Sequence, residues 1–565
     1  MIAVGIHEDS NANAAAVDGE GSILGAVAEG RLGRVKYQGG FPQRSLDWLA
    51  EQVLDGAPQG RQGNQALANT VTLAAGNRLH PIPRVLARFP DGHRDFRDPV
   101  QTAHVAWHEL MHRSRSVRRV VEAVCRRGLR GRFGQEVDLF QHHTCHAASA
   151  YYTAPWPEAT VVTCDNLGDG ECARVFHGRD GQLEALWSVG AWHSPGQFYG
   201  EVASLLGIDP MTAGKVTGLA ARGDANAALA LLQGRLRISE DRRGFVGPAP
   251  SQRRRRASDW AALRSHRPED LAAGAQKALE EALLPFVAEA VRATGCGHVA
   301  LAGGVFANVT LNRLLAALPE VTSLWVHPAM SDQGIGLGAA FLAMARRSTL
   351  RPRPLDHVFL GPSWTPAECE GALRRAGLQG RSVRPPDIAA AAADLLVAGK
   401  VVARFDGAAE YGPRALGNRS ILARPDDASV NDWLNERLHR SEYMPFAPVT
   451  LASPASDLFE GLDAVKPCLP FMTVSVRVKD PEDPRHSGVI HLDGTVRPQV
   501  LTAAGNPGLH RLLQAFHERT GIPSLVNTSF NLHGEPIVNT PDEAIATWRA
   551  AGLGGLILGP FLATQ

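Results

Sequence analysis

Short apolar runs broken by polar, glycine-bearing turns fill the first thirty residues. IAVGI, AAAV and ILGAVA are separated by HEDSNAN and DGEGS, which predicts strand, turn, strand, turn, strand over residues 2–28. The pattern returns at 160–189, where TVVTC, CARVF and LEALWSV are separated by DNLGDGE and HGRDGQ. Two copies of a three-strand unit, each with an acidic or amide turn after its first strand, point to an internal duplication. Helical periodicity predicts helices at 44–55, 101–127, 198–207 and 270–294. HVALAGGVFANVTLNRLLAAL (298–318) predicts a strand, a Gly-Gly turn and a helix.

RRSTLRPRPLD (346–356) replaces helix-like sequence with charge and proline, so a domain boundary is expected there, dividing the chain into 1–349 and 350–565. Beyond it the pattern predicts helices at 366–376, 387–398, 428–438, 508–518 and 541–550, and strands at 401–405, 470–478, 489–492 and 524–527. That alternation describes a separate α/β domain of ordinary size. Two of its strands empty into polar loops. VVARF (401–405) leads to EYGPRALGNRS (410–420), with Arg414 and Arg419 among loop-forming Gly and Pro. SLVNTSFNLHGEP (524–536) carries Asn527, Thr528, Ser529, Asn531 and His533. Polar loops at strand ends are where ligands bind α/β sheets, and guanidinium forks beside amides suit phosphate and carboxylate oxygens. Either loop alone reads equally well as a solvated turn with surface ion pairs; together they favour an anion site.

Composition narrows the class. A chain of 565 residues exceeds one core, and 44% hydrophobic with 20% charged residues describes a globular protein. Lys+Arg 58 against Asp+Glu 57 leaves a net charge of +1, which offers no overall basic field for nucleic acid or membrane. The run Arg253–Arg256 is local and reads as an exposed loop. The seven cysteines form no C-x-x-C pair, as expected of reduced thiols in a cytoplasmic enzyme. No signal sequence and no membrane-spanning run is expected.

Candidate chemistry gathers at a few points. QHHTCHAASAYY places His142 and His146 four apart; on a helix they share a face and can bind one metal ion, with His143 an alternative to His142. Asp165 closes the next strand and Asp332 follows another, in HPAMSDQGIGLGAA. Two imidazoles and two carboxylates can hold iron, manganese or zinc; from spacing alone, helix-surface histidines are the blander alternative. Gly303 and Gly304, with Asn308 near a helix start, could let backbone N–H groups approach a phosphate, though a plain tight turn needs the same residues. Lys215, between glycines in AGKVTGLAARG, could touch a phosphate or simply be solvated. EGRLGRVKYQGGFP (29–42), with Arg31, Arg34 and Lys36, reads by composition as an exposed turn.

Taken together, HHTCHAASAYY, GKVTGLAARG, LAGGVFANVTLN, SDQGIGLGAA, EYGPRALGNRS, DGTVRPQ and NTSFNLHGEPIV closely resemble the O-carbamoyltransferase family that includes NodU, CmcH and the tobramycin carbamoyltransferase, nearly end to end. The resemblance implies an α/β protein, with an N-terminal duplicated domain of the actin-like ATPase superfamily followed by a YrdC-like α/β domain. It implies two coupled reactions. In the C-terminal domain carbamoyl phosphate and ATP, with Mg2+, would give carbamoyl-adenylate, with loss of pyrophosphate and phosphate. In the N-terminal domain a bound metal, iron by resemblance, would hold the adenylate while the hydroxyl of a small-molecule acceptor, such as an antibiotic or other natural product, attacks the carbamoyl carbon. The metal ligands implied are His142, His146, Asp165 and Asp332. Lys36, Arg414, Arg419, Arg497, Asn527 and Asn531 would surround ATP and carbamoyl phosphate; Gly303, Gly304, Asn308 and Lys215 would meet the adenylate.

The chain departs from the family pattern in three places. HEDSNANAAA starts at His7 where members usually carry a His-Asp-x-Ser sequence, which makes His7 the candidate acid/base and leaves Ser10 or Asn11 in the aligned place. Asp165-Asn166 stands for the common Asp-Gly. RSEYMPFAP has Met444 where many members carry Arg before Pro-Phe-Ala-Pro, and Arg440 could supply that charge. The competing reading is a tRNA-modifying enzyme that forms or transfers a threonylcarbamoyl adenylate, against which the neutral net charge counts. A hydrogenase-maturation carbamoyltransferase would carry C-x-x-C zinc fingers, and a catalytically dead nucleotide-binding regulator would not need every candidate ligand. The expected partners are carbamoyl phosphate and a hydroxyl-bearing acceptor, without nucleic acid or membrane; a homodimer is compatible with the resemblance.

Overall fold

The structure is a computed structural model that describes residues 1–8, 11–53, 72–76, 114–247, 262–438 and 446–565. The chain forms two compact units, Met1–Leu24 with Gly40–Pro354, and Gly25–Gly39 with Leu355–Gln565. Among the described residues no helix is long and apolar enough to cross a membrane. All seven cysteines are free.

The predicted duplication in the N-terminal half is visible as two sheets of one plan. Strands β1 (Ile2–His7), β2 (Asn13–Asp18), β3 (Ile23–Ala28), β4 (Thr72–Gly76) and β5 (Asp138–Phe140) lie in the order β3-β2-β1-β4-β5. β1 is antiparallel to β2 and parallel to β4, and β4 is parallel to β5. Strands β6 (Glu158–Gly168), β7 (Glu171–Arg179) and β8 (Gln182–Gly190) follow, then a short ribbon of β9 (Arg237–Ile238) and β10 (Phe245–Val246). β11 (His298–Ala302) and β12 (Ser323–Val326) complete the second sheet, in the order β12-β11-β6-β7-β8. Again three antiparallel strands come first, and two parallel ones extend the first strand's other edge. A doubled 3-2-1-4-5 sheet is the actin-like arrangement expected from the repeat. The first strands are buried almost throughout, as parallel sheet centres covered on both faces must be.

The second unit carries an eight-stranded mixed sheet. Its strands are β13 (Ser382–Val383), β14 (Val402–Phe405), β15 (Arg419–Ala423), β16 (Ala447–Leu451), β19 (Gln499–Leu501), β20 (Ser524–Ser529), β21 (Gly555–Leu558) and β22 (Phe561–Thr564), while β17 (Val476–Arg477) and β18 (Thr495–Val496) pair separately. Leu373, Leu434 and Trp548, from helices Pro366–Arg375, Val430–Arg437 and Pro541–Ala550, share one apolar cluster. Leu396 and Phe516, from helices Ile388–Val397 and Pro507–Thr520, belong to another. These helices fall within a few residues of the predicted positions, because amphipathic period and caps fix them locally; Thr365 and Thr540 form complete capping boxes.

Two expected strands are corrected. The 470–478 strand shrinks to β17, because Lys466–Phe471 is a 3-10 turn holding Pro467 and Pro470, which lack ladder donors. Residues 489–492 form no strand, and Leu492 there is 71% exposed. The 101–127 helix is seen as Arg115–Phe133; 101–113 lies outside the described residues.

Candidate metal centre and anion loops

Helix His142–Tyr152 begins where Gln141 caps it, its side-chain oxygen accepting the Thr144 N–H at 2.8 Å. The Asp169 carboxylate accepts the His142 backbone N–H at 2.7 Å, which adds negative charge at the helix N-terminus. With its first turn anchored, the helix presents His142 and His146 on one face, and their Nε2 atoms stand 3.1 Å apart. Asp165 arrives from β6, though not at the strand's end as expected: the register with β7 breaks between Cys164 and Gly168, and the bulged residues include Asp165. Asp332 opens a 3-10 turn before helix Ile335–Ala345. Its backbone carbonyl accepts from Asn13 Nδ2 at 2.8 Å, while Asn13 Oδ1 accepts the Gly336 N–H at 3.0 Å.

The four donors converge. Asp165 Oδ2 lies 3.0 Å from His146 Nε2 and 3.6 Å from His142 Nε2, and Asp332 Oδ1 lies 3.6 Å from both imidazoles. One ligand atom from each falls within 4.8 Å of all the others. Separations of this size are what bonds of about 2 Å to one ion produce, and the set of two imidazoles and two carboxylates suits a divalent first-row metal. Both Nδ1 atoms are buried without a hydrogen-bond partner among the described residues, so the outer nitrogens are not what orients these rings. His143 takes no part. Its Nδ1 pairs with Thr163 Oγ1 at 3.0 Å and its Nε2 with the Glu171 carbonyl at 3.1 Å, and burial pushes it down to about 3.

Electrostatics match the geometry. Burial opposes charge on His142, yet the hydrogen bond to Asp165 and the fields of Asp332 and Asp169 outweigh it and raise the imidazole to about 9. Burial also pushes the Asp165 carboxyl up, and the two imidazoles more than reverse this, holding it well below the usual carboxylate range. His7 ends β1, fully buried, with Nδ1 3.4 Å from the Gly76 carbonyl and Nε2 3.8 Å from Asp332 Oδ2. Asn11 sits in the left-handed region at φ 62°, and Ser10 lies outside the described residues.

The Gly-Gly turn serves this centre. Gly303 adopts φ 109°, and a Cβ there would meet the Cys164 carbonyl at 2.1 Å; one on Gly304 would stand 2.9 Å from Asp165 Oδ1. Asn308 caps helix Val309–Ala316, its Oδ1 accepting the Leu311 N–H at 3.0 Å while its Nδ2 donates to Gln276 at 2.8 Å. Lys215 lies near the start of helix Gly214–Ala220, half-buried.

In the second unit the two polar loops meet, as their placement after strands led us to expect. β15 pairs antiparallel with β20, and the Phe530 N–H donates to the Arg419 carbonyl at 3.0 Å. Asn527 Nδ2 donates to Gln499 Oε1 at 2.8 Å, and Gln499 Nε2 to the Leu416 carbonyl at 2.8 Å, so both support the Arg414 loop. Arg419 departs from expectation. Its guanidinium is fully buried over the Phe405 ring and donates to the carbonyls of Asp406, Asn418, Gly407 and Pro362 at 3.0–3.3 Å. Those carbonyls take the N–H groups that a phosphate contact would have used, so the residue shapes the loop. Asn531 likewise folds onto its own loop, donating to the carbonyls of Leu532 and Glu535 at 2.7 and 3.0 Å. Arg414 and Arg497 are half-buried, and Lys36 is exposed with its ammonium 5.4 Å from the Tyr37 ring centre. Arg440 and Met444 lie outside the described residues, as does the Arg253–Arg256 run.

The 29–42 segment is no plain exposed turn. Arg31 Nη2 donates to the Gly412 carbonyl at 3.1 Å, and Arg34 donates to the Pro536 carbonyl at 3.0 Å and to Glu535 at 2.8 Å. The sequence named these two arginines but read as an exposed turn around them, and it gave no role to Asn13, Asp169 and Gly168 in the first unit. Their only sequence signal was position inside motifs already recognised for other residues.

Two family models match most of the chain. A family model described as Carbamoyltransferase N-terminus matches residues 3–341, and one described as Carbamoyltransferase C-terminus matches 393–565. The chain is 36% identical over 439 residues to nodulation protein NolO of Bradyrhizobium diazoefficiens, covering 74% of this chain and 78% of that one. It is 30% identical over 447 residues to the 3'-hydroxymethylcephem-O-carbamoyltransferase of Amycolatopsis lactamdurans, covering 76% and 81%. Component A of the Acidaminococcus fermentans (R)-2-hydroxyglutaryl-CoA dehydratase aligns with 61% of this chain and 98% of its own, at a TM-score of 0.36 and 16% identity.

Proposed function

The chain belongs to the carbamoyltransferase family, and from that premise we propose that it is an ATP-dependent O-carbamoyltransferase acting on a hydroxyl of a small-molecule acceptor. The observation that carries this reading is the convergence of His142, His146, Asp165 and Asp332 beside His7, in one unit of a chain that matches both halves of the family.

The reaction balances as two steps. In the second unit, which we read as YrdC-like, water removes phosphate from carbamoyl phosphate. The freed carbamate oxygen attacks the α-phosphorus of Mg2+-bound ATP, and pyrophosphate leaves. In the first unit the acceptor hydroxyl attacks the carbamoyl carbon of the adenylate, its proton passes to a base, and AMP leaves. Adenylation supplies the good leaving group that a carbamate lacks. Arg414, with Lys36, Arg440, Arg497 and Asn527, is our choice to stabilise phosphate charge; a lost guanidinium contact of this kind costs about 2–4 kcal/mol of transition-state stabilisation. Gly303, Gly304, Asn308 and Lys215 are our choice for the adenylate surroundings. His7 is our choice of base, with Asp332 near enough to stabilise the imidazolium it becomes; such assistance is worth about 10²–10⁴ in rate. A divalent metal, iron(II) in our reading, held by His142, His146, Asp165 and Asp332 would supply Lewis acidity and orient the nucleotide.

The deciding experiment follows ATP–pyrophosphate exchange with and without carbamoyl phosphate, alongside carbamoylated product from a panel of alcohols, sugars and hydroxymethyl heterocycles. We expect exchange only with carbamoyl phosphate, and a His7→Ala enzyme that exchanges normally but transfers poorly. Exchange driven by threonine and bicarbonate instead would favour tRNA modification. Transfer by His7→Ala at the wild-type rate would remove His7 as the base.

A further inference from the structure

Glu410 is 3% exposed, and its Oε1 accepts three backbone N–H groups, from Leu416 at 2.9 Å, Asn418 at 2.9 Å and Arg419 at 3.1 Å. A single carboxylate oxygen thus occupies the concavity that the loop's amides create. On the other limb of the same loop, the Gly412 carbonyl accepts from Arg31 Nη2 at 3.1 Å. Between these two fastenings stands Arg414. The limbs turn at Gly412 and Gly417, with φ of 103° and 120°, so the backbone is set in a shape other residues rarely adopt. A Cβ on Gly417 would also meet Leu509 Cδ2 at 2.6 Å.

Arg31 is itself tied into the second unit. It lies in the short helix Glu29–Gly33, within the segment Gly25–Gly39 that packs with Leu355–Gln565. Three residues on, Arg34 fastens that segment to Glu535 at 2.8 Å and Glu543 at 3.3 Å. Burial lowers Arg31 to about 10, with Glu410 opposing the shift and Arg34 adding to it, so the guanidinium stays charged and the Glu410 carboxylate offsets it.

We infer that Arg31 and Glu410 are positioning residues for Arg414, one gripping a carbonyl and the other the amides of the loop that carries it. This inference rests on the reading of the second unit as the adenylate-forming one. It assigns Arg31, some 380 residues away in sequence, a task that its own position in a composition-neutral turn does not suggest. Neither residue needs to touch substrate. Each acts by limiting where the Arg414 guanidinium can stand, and small misplacements of a charged group cost heavily in rate.

The test is a double-mutant cycle on the full chain, read as carbamoyl-phosphate-dependent ATP–pyrophosphate exchange. Arg31→Ala and Arg414→Ala should each slow exchange by about tenfold or more. The double variant should remain within about threefold of Arg414→Ala alone, because a residue that works through Arg414 has nothing left to position. Arg31→Lys, which keeps charge and a donor, should recover most of the Arg31→Ala loss, and Glu410→Gln should repeat the cycle from the other limb. Should Arg31→Ala fail to fold, Glu410→Gln carries the test by the same comparison with Arg414→Ala. Losses that multiply in the double variants, or Arg31→Ala and Glu410→Gln variants that exchange like the wild type, would overturn the inference while leaving the function intact. A wild-type chain with no such exchange would instead overturn the functional reading, and this inference with it.

Discussion

Gly168 carries no side chain, and the position of His142 explains why. A Cβ on Gly168 would lie 2.2 Å from His142 Cδ2 and 2.6 Å from its Nε2, so the imidazole or the strand would have to shift. Gly168→Ala should therefore lower metal content severalfold while far-ultraviolet circular dichroism stays unchanged, and elemental analysis of the two purified proteins decides it. His146→Ala should lose the metal altogether by the same assay. Proton linkage gives a second handle on these side chains. In the metal-free protein His142 is raised to about 9 from an ordinary 6.5, so its proton stabilises the fold fully below about 6.5. That contribution fades as pH rises through about 9. A metal must displace the same proton. Its apparent affinity should therefore rise about tenfold per pH unit between 7 and 9 and level off above, measurable by calorimetric titration in buffers of different protonation enthalpy.

The loop between β14 and β15 separates a fully buried scaffold arginine from a half-buried one. Arg419, fully buried and bonded to four carbonyls, holds the loop's shape. Removing it leaves those carbonyls and the nearby Glu410 carboxylate uncompensated. Arg419→Ala should therefore destabilise the second unit by about 3–5 kcal/mol in urea unfolding. Arg414→Ala, at a half-buried site, should change stability by less than about 1 kcal/mol and still slow exchange by about tenfold or more. In the sequence the two arginines of GPRALGNRS looked alike. Only the one that begins β15 is drawn beneath the loop by the pairing of Phe405 with Arg419 across the hairpin. Arg414, five residues earlier, precedes the pairing and is only half-buried.

At the scale of the whole chain, contacts do not follow sequence order. The first unit gives up Gly25–Gly39, which packs with residues beyond Leu355, and then resumes at Gly40. Arg31 and Arg34 do the fastening, through Gly412, Glu535 and Glu543. Amide hydrogen exchange should show residues 29–33 protected and released together with the second unit's core strands, not with β1 and β2. Exchange of 29–33 in step with β1 would contradict the assignment of this segment.

Periodicity and turn residues determined a great deal by themselves. The duplicated strand triplets, the helices at 366–376, 387–398, 508–518 and 541–550, and the imidazole pair on one helix face all follow from local rules that hold before any tertiary contact forms. Convergence did not. Asp165 reaches the cluster through a bulge in β6, Asp332 is fixed by an asparagine more than three hundred residues upstream, and His143 rather than His142 is turned into the core by Thr163 and Glu171. Strand 489–492 failed because an apolar run needs a neighbouring ladder, which the fold does not place there. The roles of Arg31, Arg34 and Glu410 stayed invisible for a related reason. A charged residue in a polar turn has the same composition whether it faces water or grips a carbonyl, and only the folded chain brings the carbonyl to it.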